Sequence, residues 1–260
     1  MGMGAAPDLD DDPRRTILVG PQERDDTRHA SRATRRRSAT GPVGIVGGMQ
    51  EILPGVYHWT SIHPKLRIEV ASYWLDGPGV VIDPLIPADV GIEWFAGRRT
   101  PPTAVLLSNR HHFRHSDVFA AAFGCAVHAN AAGLHEFTHG EVVEGFAPGD
   151  ALPGGVTACE VGIICPDETA LFVEDQRAMV FADALVTGAP HHRQNLGFVP
   201  DQLMDDPVQT KLGLLQTFAR LLDDYDFAHL LLAHGGPIIG DGRLGLQELI
   251  SAGGRTAFEM

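Results

Sequence analysis

Most of the chain beyond residue 49 consists of short segments in which hydrophobic and polar residues alternate, or in which apolar residues follow one another. Alternation with a period of two is typical of half-buried β-strands, and a short continuous apolar segment is typical of a strand covered on both faces. The predicted strands are residues 52–60, 67–77, 79–85, 102–109, 126–130, 155–163, 168–175, 178–186 and 229–235.

Helices are predicted between these strands. Residues 116–124 begin with Ser116, a residue type that caps helix N-termini, and end with Gly124, which favours the left-handed conformation that closes a helix. The other predicted helices are residues 90–97, 131–137, 207–222 and 243–251. Strands with interspersed helices occur in both halves of this region, which predicts two sheets packed face to face with helices outside.

Residues 1–48 differ from the rest of the chain. They hold an acidic cluster around Asp10 and a basic cluster at 35–37, with almost no apolar periodicity. Such a segment buries too little apolar surface to offset the entropy of ordering, so we predict a disordered tail. The folded domain is predicted to span residues 49–260, with Met49 as its natural first residue.

Charge and cysteine content narrow the functional class. The formal net charge is −13, and residues 49–260 alone carry −14, which argues against nucleic acid as a partner because phosphate binding needs clustered Lys and Arg. Cys125, Cys159 and Cys165 form no CxxC pair, which is typical of reduced thiols. No segment resembles a membrane span or a secretory signal. We therefore expect a cytoplasmic protein that binds a small molecule, with a homo-oligomer left open.

The segment RHHFRH, residues 110–115, carries the strongest sign of chemistry. It follows the predicted buried strand 102–109 and contains three histidines in five positions. Side chains at the carboxyl end of a strand, in a loop that enters a helix, are well placed to converge on one ligand. The simpler interpretation is a polar loop that helps to cap the helix starting at Ser116.

Two further residues strengthen the functional interpretation. Asp183 stands in an otherwise apolar predicted strand, where a carboxylate is costly unless it is paired or bound to a metal. His234 ends the apolar segment of the last predicted strand. A single histidine there is more often structural, but the histidine cluster, the inward aspartate and the strand-end histidine together favour a metal site.

The order and spacing of these residues resemble the metallo-β-lactamase superfamily. ILPGVYHW followed by GVVIDPL resembles its entry strands, with Asp83 near the site, and LLSNRHHFRHSD resembles the segment that holds its HxHxDH motif. CPDETALFV with FADAL resembles the strands leading to the bridging aspartate, and LLLAHGG resembles the last ligand segment. The resemblance covers most of residues 50–250. It implies an α/β fold (α+β), a four-layer αββα sandwich with a one- or two-metal site between its sheets.

The motif is degenerate in this chain. Compared position by position with the family pattern, Arg110 replaces the first histidine, Arg114 replaces the aspartate and Ile164 replaces the later histidine. The retained positions are His112, His115, Asp183 and His234.

The resemblance therefore implies at most one metal ion, Zn, Fe or Mn, with His112, His115, Asp183 and His234 as ligands. An Asp-to-Arg change alters the local charge by two units, and a guanidinium ~6 Å from a dication is repelled by roughly 5 kcal/mol at an effective dielectric of ~20. A metal-free site, in which Arg114 pairs with Asp183 in a bidentate contact, stays open.

Two functions follow from these alternatives. With one metal, the resemblance implies a hydrolase-like enzyme for a small ester, thioester, lactone or phosphoester, in which His112 and Asp183 are catalytic. Arg110, Arg114 or His192 would then hold an anionic part of the substrate. Without metal, the chain would be an inactive relative whose arginine-containing pocket binds an anionic metabolite or a partner.

Weaker candidates lie nearby in the sequence. His191 and His192 follow the strand of Asp183, and a surface loop without a role is the simpler interpretation for them. Cys165 adjoins the position of the lost histidine and could be a soft replacement ligand, although a buried inert thiol explains it as well.

Overall fold

The computed structural model describes residues 45–46, 48–87, 89–188 and 196–258. Its strands, in chain order, are β1 (Ile45–Val46), β2 (Met49–Leu53), β3 (Val56–Ile62), β4 (Glu69–Leu75), β5 (Val80–Ile82), β6 (Ala104–Leu106), β7 (Ala126–Asn130), β8 (Glu144–Phe146), β9 (Ala151–Leu152), β10 (Val156–Glu160), β11 (Thr169–Val173), β12 (Ala178–Phe181), β13 (Val186–Thr187), β14 (Leu196–Gly197) and β15 (His229–Leu232). Its α-helices are α1 (Glu93–Ala96), α2 (Ser116–Phe123), α3 (Pro207–Asp224) and α4 (Gly242–Phe258). Short 3-10 turns cover Arg110–His112, Ala131–Glu136 and Asp201–Leu203.

These strands form two large sheets and one small pair. In the first sheet, β1 to β8 lie side by side in chain order, antiparallel up to β5 and parallel from β5 to β8. In the second sheet the order is β15-β12-β11-β10-β9, and β12 runs parallel to β15. Parallel neighbours need crossover connections, and α1, α2 and α3 lie in three of these connections.

The two large sheets pack face to face through side chains that alternate along each strand. Ala71, Tyr73 and Leu75 of β4 lie in the core between the sheets, where they meet Leu171 of β11 and Val180 of β12. This alternation follows from the two-residue period of a strand. The inter-sheet core is therefore built from one face of each sheet.

Helices cover the outer faces of both sheets. On the first sheet, Trp74 packs against Phe95 of α1, which in turn contacts Phe119 of α2. On the second sheet, Phe181 contacts Phe218 of α3 edge to face, with ring centroids 5.5 Å apart. These contacts give four layers in the order helix, sheet, sheet, helix, which confirms the predicted αββα sandwich.

Several element boundaries differ from those predicted. The predicted strand 178–186 divides into β12 and β13, so that Asp183 follows a strand end and does not lie within a strand. His115, not Ser116, is the N-cap of α2, and the Ser116 hydroxyl donates to the carbonyl of Phe113. Gly124 closes this helix with φ 67°, as predicted.

The structure also describes part of the predicted tail. β1 lies inside it and pairs antiparallel with β2, so the first sheet includes residues before Met49. Residues 1–44 lie outside the described residues, and the extent of the domain from 49 to 260 stays a prediction. Among the described helices, none combines the length and the apolar character that a bilayer crossing requires.

Candidate metal centre

Four strands from the two large sheets end at one place between the sheets. Asp83 follows β5 and His112 follows β6 in the first sheet, while Asp183 follows β12 and His234 follows β15 in the second. The pairs β5–β6 and β12–β15 are parallel, so the residues that follow these strands emerge at the same edge of each sheet. The topology therefore collects side chains from distant parts of the sequence.

His112, Asp183 and His234 form a buried group at this edge. One ligand atom of each lies within 4.8 Å of the others. Oδ1 of Asp183 is 3.3 Å from Nε2 of His112 and 3.2 Å from Nε2 of His234, yet it has no hydrogen-bond partner. Two imidazole nitrogens and one carboxylate oxygen facing a common point are a donor set that suits Zn²⁺ and other divalent metals.

A second layer of hydrogen bonds orients the group. Nδ1 of His112 lies 3.0 Å from Oδ2 of Asp83, and the backbone N–H of Ser108 donates to the other oxygen of Asp83 at 2.9 Å. Asn109 Nδ2 donates to Oδ2 of Asp183 at 2.9 Å. A histidine whose second nitrogen is held by a carboxylate presents the first nitrogen as a ligand. His112 Nε2 is therefore oriented for a cation.

Two residues beside the group have a strained backbone. Asp83 has φ 49° and Arg114 has φ 46°, in the left-handed region that favours glycine. The two are linked, since Nη1 of Arg114 donates to the carbonyl of Asp83 at 2.8 Å and to that of Ala71 at 2.7 Å. Strain of this kind persists where surrounding contacts hold it, and it is concentrated at functional sites.

The hydrogen bonds of Arg114 correct one alternative from the sequence. The bidentate pair between Arg114 and Asp183 does not form, because Nη1 is bonded to two backbone carbonyls. Nη2 of Arg114 is buried and has no hydrogen-bond partner. The carboxylate of Asp183 therefore depends on Asn109 and the two histidines.

Arg110 is held by acidic side chains of the protein. Its guanidinium forms an ion pair with Asp167, and its backbone N–H donates to the second oxygen of Asp167 at 2.7 Å. The side chains are 5% and 1% exposed. Glu136 lies farther away, 3.4 Å from Nε of Arg110. The guanidinium of Arg110 is thus held in a buried ion pair, and its contact with a substrate stays a prediction.

His115 does not join the metal group, contrary to the prediction. It is half-buried at the N-cap of α2, and its Nδ1 accepts a hydrogen bond from the backbone N–H of Ile86 at 3.0 Å. This contact holds the ring against the loop after β5. The motif histidine is therefore retained in the sequence, but its ring lies outside the group of His112, Asp183 and His234.

Of the weaker candidates, the structure describes only Cys165. His191 and His192 lie outside the described residues, so the substrate-binding role of His192 stays a prediction. Cys165 is half-buried outside the His–Asp–His group, and burial followed by the charge of Glu168 raises the pKa of its thiol. A protonated thiol is a poor metal ligand, which favours the inert interpretation.

Glu168 was not singled out from the sequence. It is 1% exposed, and one of its oxygens accepts a hydrogen bond from the backbone N–H of Ala184, while Oε2 has no partner. Burial, followed by the charge of Asp183, raises the pKa of Glu168 to about 8. The only sequence signal is an acidic residue directly before an apolar strand, which is common at strand ends.

The shifted pKa values of His112 and Asp183 indicate that this buried cluster favours a positive charge. Burial and Arg114 lower the pKa of His112, but Asp83 and Asp183 outweigh them and raise it to about 9. Burial alone would raise the pKa of Asp183, yet His112 and His234 hold it well below its usual range. Without a metal, protonated His112 supplies the positive charge that a metal ion would otherwise provide beside Asp83 and Asp183.

Comparison with known proteins identifies the fold. No family model and no curated protein sequence matches the chain. Among similar solved structures, a metallo-β-lactamase family protein from Thermus thermophilus has 19% identity and a TM-score of 0.55, with 79% of this chain and 81% of that chain covered. TTHA1623 in a di-iron-bound form also has 19% identity and a TM-score of 0.55, with 73% of this chain and 96% of that chain covered. The metallo-β-lactamase FIM-1 from Pseudomonas aeruginosa in the mono-zinc form has 10% identity and a TM-score of 0.57, with 84% of this chain and 99% of that chain covered. At these identities the likeness is one of fold.

Proposed function

We propose that this chain, which has the metallo-β-lactamase fold, is a hydrolase-like protein that uses one metal ion held by His112, Asp183 and His234. One observation carries the proposal: Oδ1 of Asp183 is buried between two imidazole nitrogens without a hydrogen-bond partner. A buried carboxylate oxygen without a partner is costly, and a cation at this point removes that cost. Similar structures in mono-zinc and di-iron forms support Zn or Fe as the ion.

The residues of the chain fit this chemistry. A divalent ion held here supplies a coordinated water of lowered pKa and polarises a carbonyl or phosphoryl oxygen of the substrate. Asp83 holds Nδ1 of His112 and so keeps Nε2 directed at the ion, and Asn109 fixes the carboxylate of Asp183. Three protein ligands leave coordination positions open for water and substrate, which is typical of a catalytic site.

A single ion is supported by the arginines beside the group. Arg110 stands where the family pattern has its first histidine, and a guanidinium offers no ligand atom because it stays protonated. Its charge is balanced by Asp167. The guanidinium of Arg114, in the position of the family's aspartate, lies near Asp183 and would repel a second dication. We therefore propose a mononuclear site.

The substrate class is a small ester, thioester, lactone or phosphoester. An anionic group on it is favoured by Nη2 of Arg114, which is buried and has no hydrogen-bond partner. The same observation supports the second candidate, a metal-free relative that binds an anionic metabolite or partner, with protonated His112 in place of the ion. Metal content distinguishes these two candidates.

The decisive experiment measures metal in the full-length chain purified without a chelator and then offered Zn, Fe and Mn. We expect close to one equivalent per chain. Asp183→Asn should weaken metal affinity by about 10²- to 10³-fold. A structural zinc site with four ligands has a binding free energy of ~10–16 kcal/mol, which is about 3 kcal/mol for each ligand. Asp226→Asn makes the same chemical change at a side chain that is 79% exposed and should leave the affinity unchanged.

Two results would reverse the assignment. Only trace metal in the wild-type chain with every ion offered would rule out the first candidate, and saturable binding of inorganic phosphate by that metal-free chain would support the second. If metal binds, a panel of nitrophenyl ester, thioester, lactone and phosphodiester compounds identifies the substrate class. Hydrolysis that persists at the wild-type rate in Asp183→Asn would contradict the role of the site.

A further inference from the structure

The buried carboxylate of Glu168 lies beside the metal group and is not one of its three proposed ligands. Glu168 lies directly before β11, and its side chain is almost completely enclosed. One carboxylate oxygen is bonded to the N–H of Ala184, the residue that follows Asp183. The other oxygen, Oε2, is buried without a hydrogen-bond partner.

The backbone holds Glu168 in this position. Its N–H donates to the carbonyl of Cys165 at 3.1 Å, and its own carbonyl accepts from the N–H of Val161 at 3.3 Å and of Gly162 at 3.0 Å. The carboxylate is close enough to Asp183 and His112 for their charges to act on it. Two acidic side chains kept together in the interior require a cation or a proton, because an uncompensated buried charge is strongly destabilising.

We propose that Glu168 is a positioning residue of the metal site. One oxygen fixes the backbone after Asp183, and Oε2 accepts a hydrogen bond from a water molecule beside the ion. This inference rests on the proposed function. It also balances the charge: Asp83, Asp183 and Arg114 sum to one negative charge, a dication changes that to one positive charge, and ionised Glu168 restores neutrality.

The test is the affinity of the full-length chain for Co²⁺, measured by competition with a chromophoric chelator. Glu168→Gln keeps an oxygen that can accept from Ala184 N–H and removes the negative charge. We expect its affinity for Co²⁺ to fall by about 10- to 100-fold, the usual effect of losing an outer-shell partner. Glu174→Gln is the matched control, because Glu174 follows the same strand directly and is exposed. Its affinity should equal that of the wild type.

A second measurement separates charge from a purely structural role. Loss of the negative charge in Glu168→Gln should strengthen azide binding to the cobalt-loaded chain severalfold, as read from the visible spectrum, while Glu168→Asp should recover part of the Co²⁺ affinity. Thermal unfolding of the metal-free variants checks that they fold.

The outcomes are distinguishable from failure of the proposed function. If the wild-type chain does not bind Co²⁺, the metal site itself is wrong. If the wild type binds and Glu168→Gln binds equally well, or Glu168→Asp recovers nothing, the role of Glu168 is overturned and the metal site stands. A Glu168→Gln variant that does not fold leaves Glu168→Asp to decide: a Co²⁺ affinity below that of the wild type but above that of His234→Gln supports the positioning role, and an affinity equal to that of the wild type refutes it.

Discussion

Replacing Asp167 by Asn tests how much the buried ion pair between Asp167 and Arg110 stabilises the folded chain. Asp167 is 1% exposed and bonds Arg110 twice, through the guanidinium and through the backbone N–H at 2.7 Å. Asn can keep one acceptor for the backbone N–H, but it cannot neutralise the guanidinium. The variant therefore leaves a buried positive charge whose nearest remaining carboxylate, Glu136, is 38% exposed and 3.4 Å from Nε.

The magnitude follows from this difference in burial. Removing one partner of a buried ion pair typically lowers the free energy of unfolding by about 3–5 kcal/mol, because the other charge stays desolvated. The exposed contact with Glu136 is screened by solvent, so Glu136→Gln should cost at most about 1 kcal/mol. Both variants remove a carboxylate from the same arginine, which makes Glu136→Gln the matched control.

The assay is urea unfolding of the metal-free chain, followed by tryptophan fluorescence and far-UV circular dichroism, with linear extrapolation to water. We expect the midpoint of Asp167→Asn to fall well below that of Glu136→Gln. If the two variants lose equal stability, or if Asp167→Asn loses less than about 1 kcal/mol, the ion pair does not have the buried character that the structure gives it.

Three further predictions concern the site. His115→Gln should keep the wild-type metal stoichiometry, whereas His234→Gln should lose it; metal analysis of both variants checks this, and equal loss would make His115 a ligand. In the metal-free chain with chelator present, stability should fall as pH rises from about 6.5 to about 9, because folded His112 keeps its proton up to a pKa of about 9 and the unfolded residue releases it near 6.5; urea titrations across this range check it. Glu168, whose pKa is raised to about 8, adds to the fall below pH 8, so the contradicting result is a slope in His112→Gln as steep as that of the wild type. Gly235→Ala should lower both stability and metal affinity, since Gly235 has φ 88° and a Cβ there would meet the hydroxyl of Thr187 and lie 2.7 Å from its carbonyl oxygen; wild-type thermal unfolding in this variant would show that the turn after His234 can adjust.

Local pattern was sufficient for most of the elements and for the layers. The two-residue alternation along β4 and the apolar segments of β6 and β15 predicted strands, and packing of both sheets with helices outside follows from which faces are apolar. Local pattern could not divide β12 from β13, because Ala184 and Leu185 continue the apolar character although the pairing with β15 ends at Phe181.

The sequence by itself placed His112 and His234 after apolar strands and Asp183 inside one, and its resemblance to the metallo-β-lactamase superfamily predicted that these three residues meet with His115. The structure brings His112, Asp183 and His234 together. Only the tertiary structure decided which atoms face the common point. The ring of His115 contacts the backbone of Ile86, Arg114 donates to two backbone carbonyls, and Arg110 pairs with Asp167. Glu168 lies beside the site, although an acidic residue before a strand gave no signal of this in the sequence. The physical reason is that strand ends are set by short-range periodicity, whereas the direction of a side chain depends on partners that only folding brings within hydrogen-bond distance.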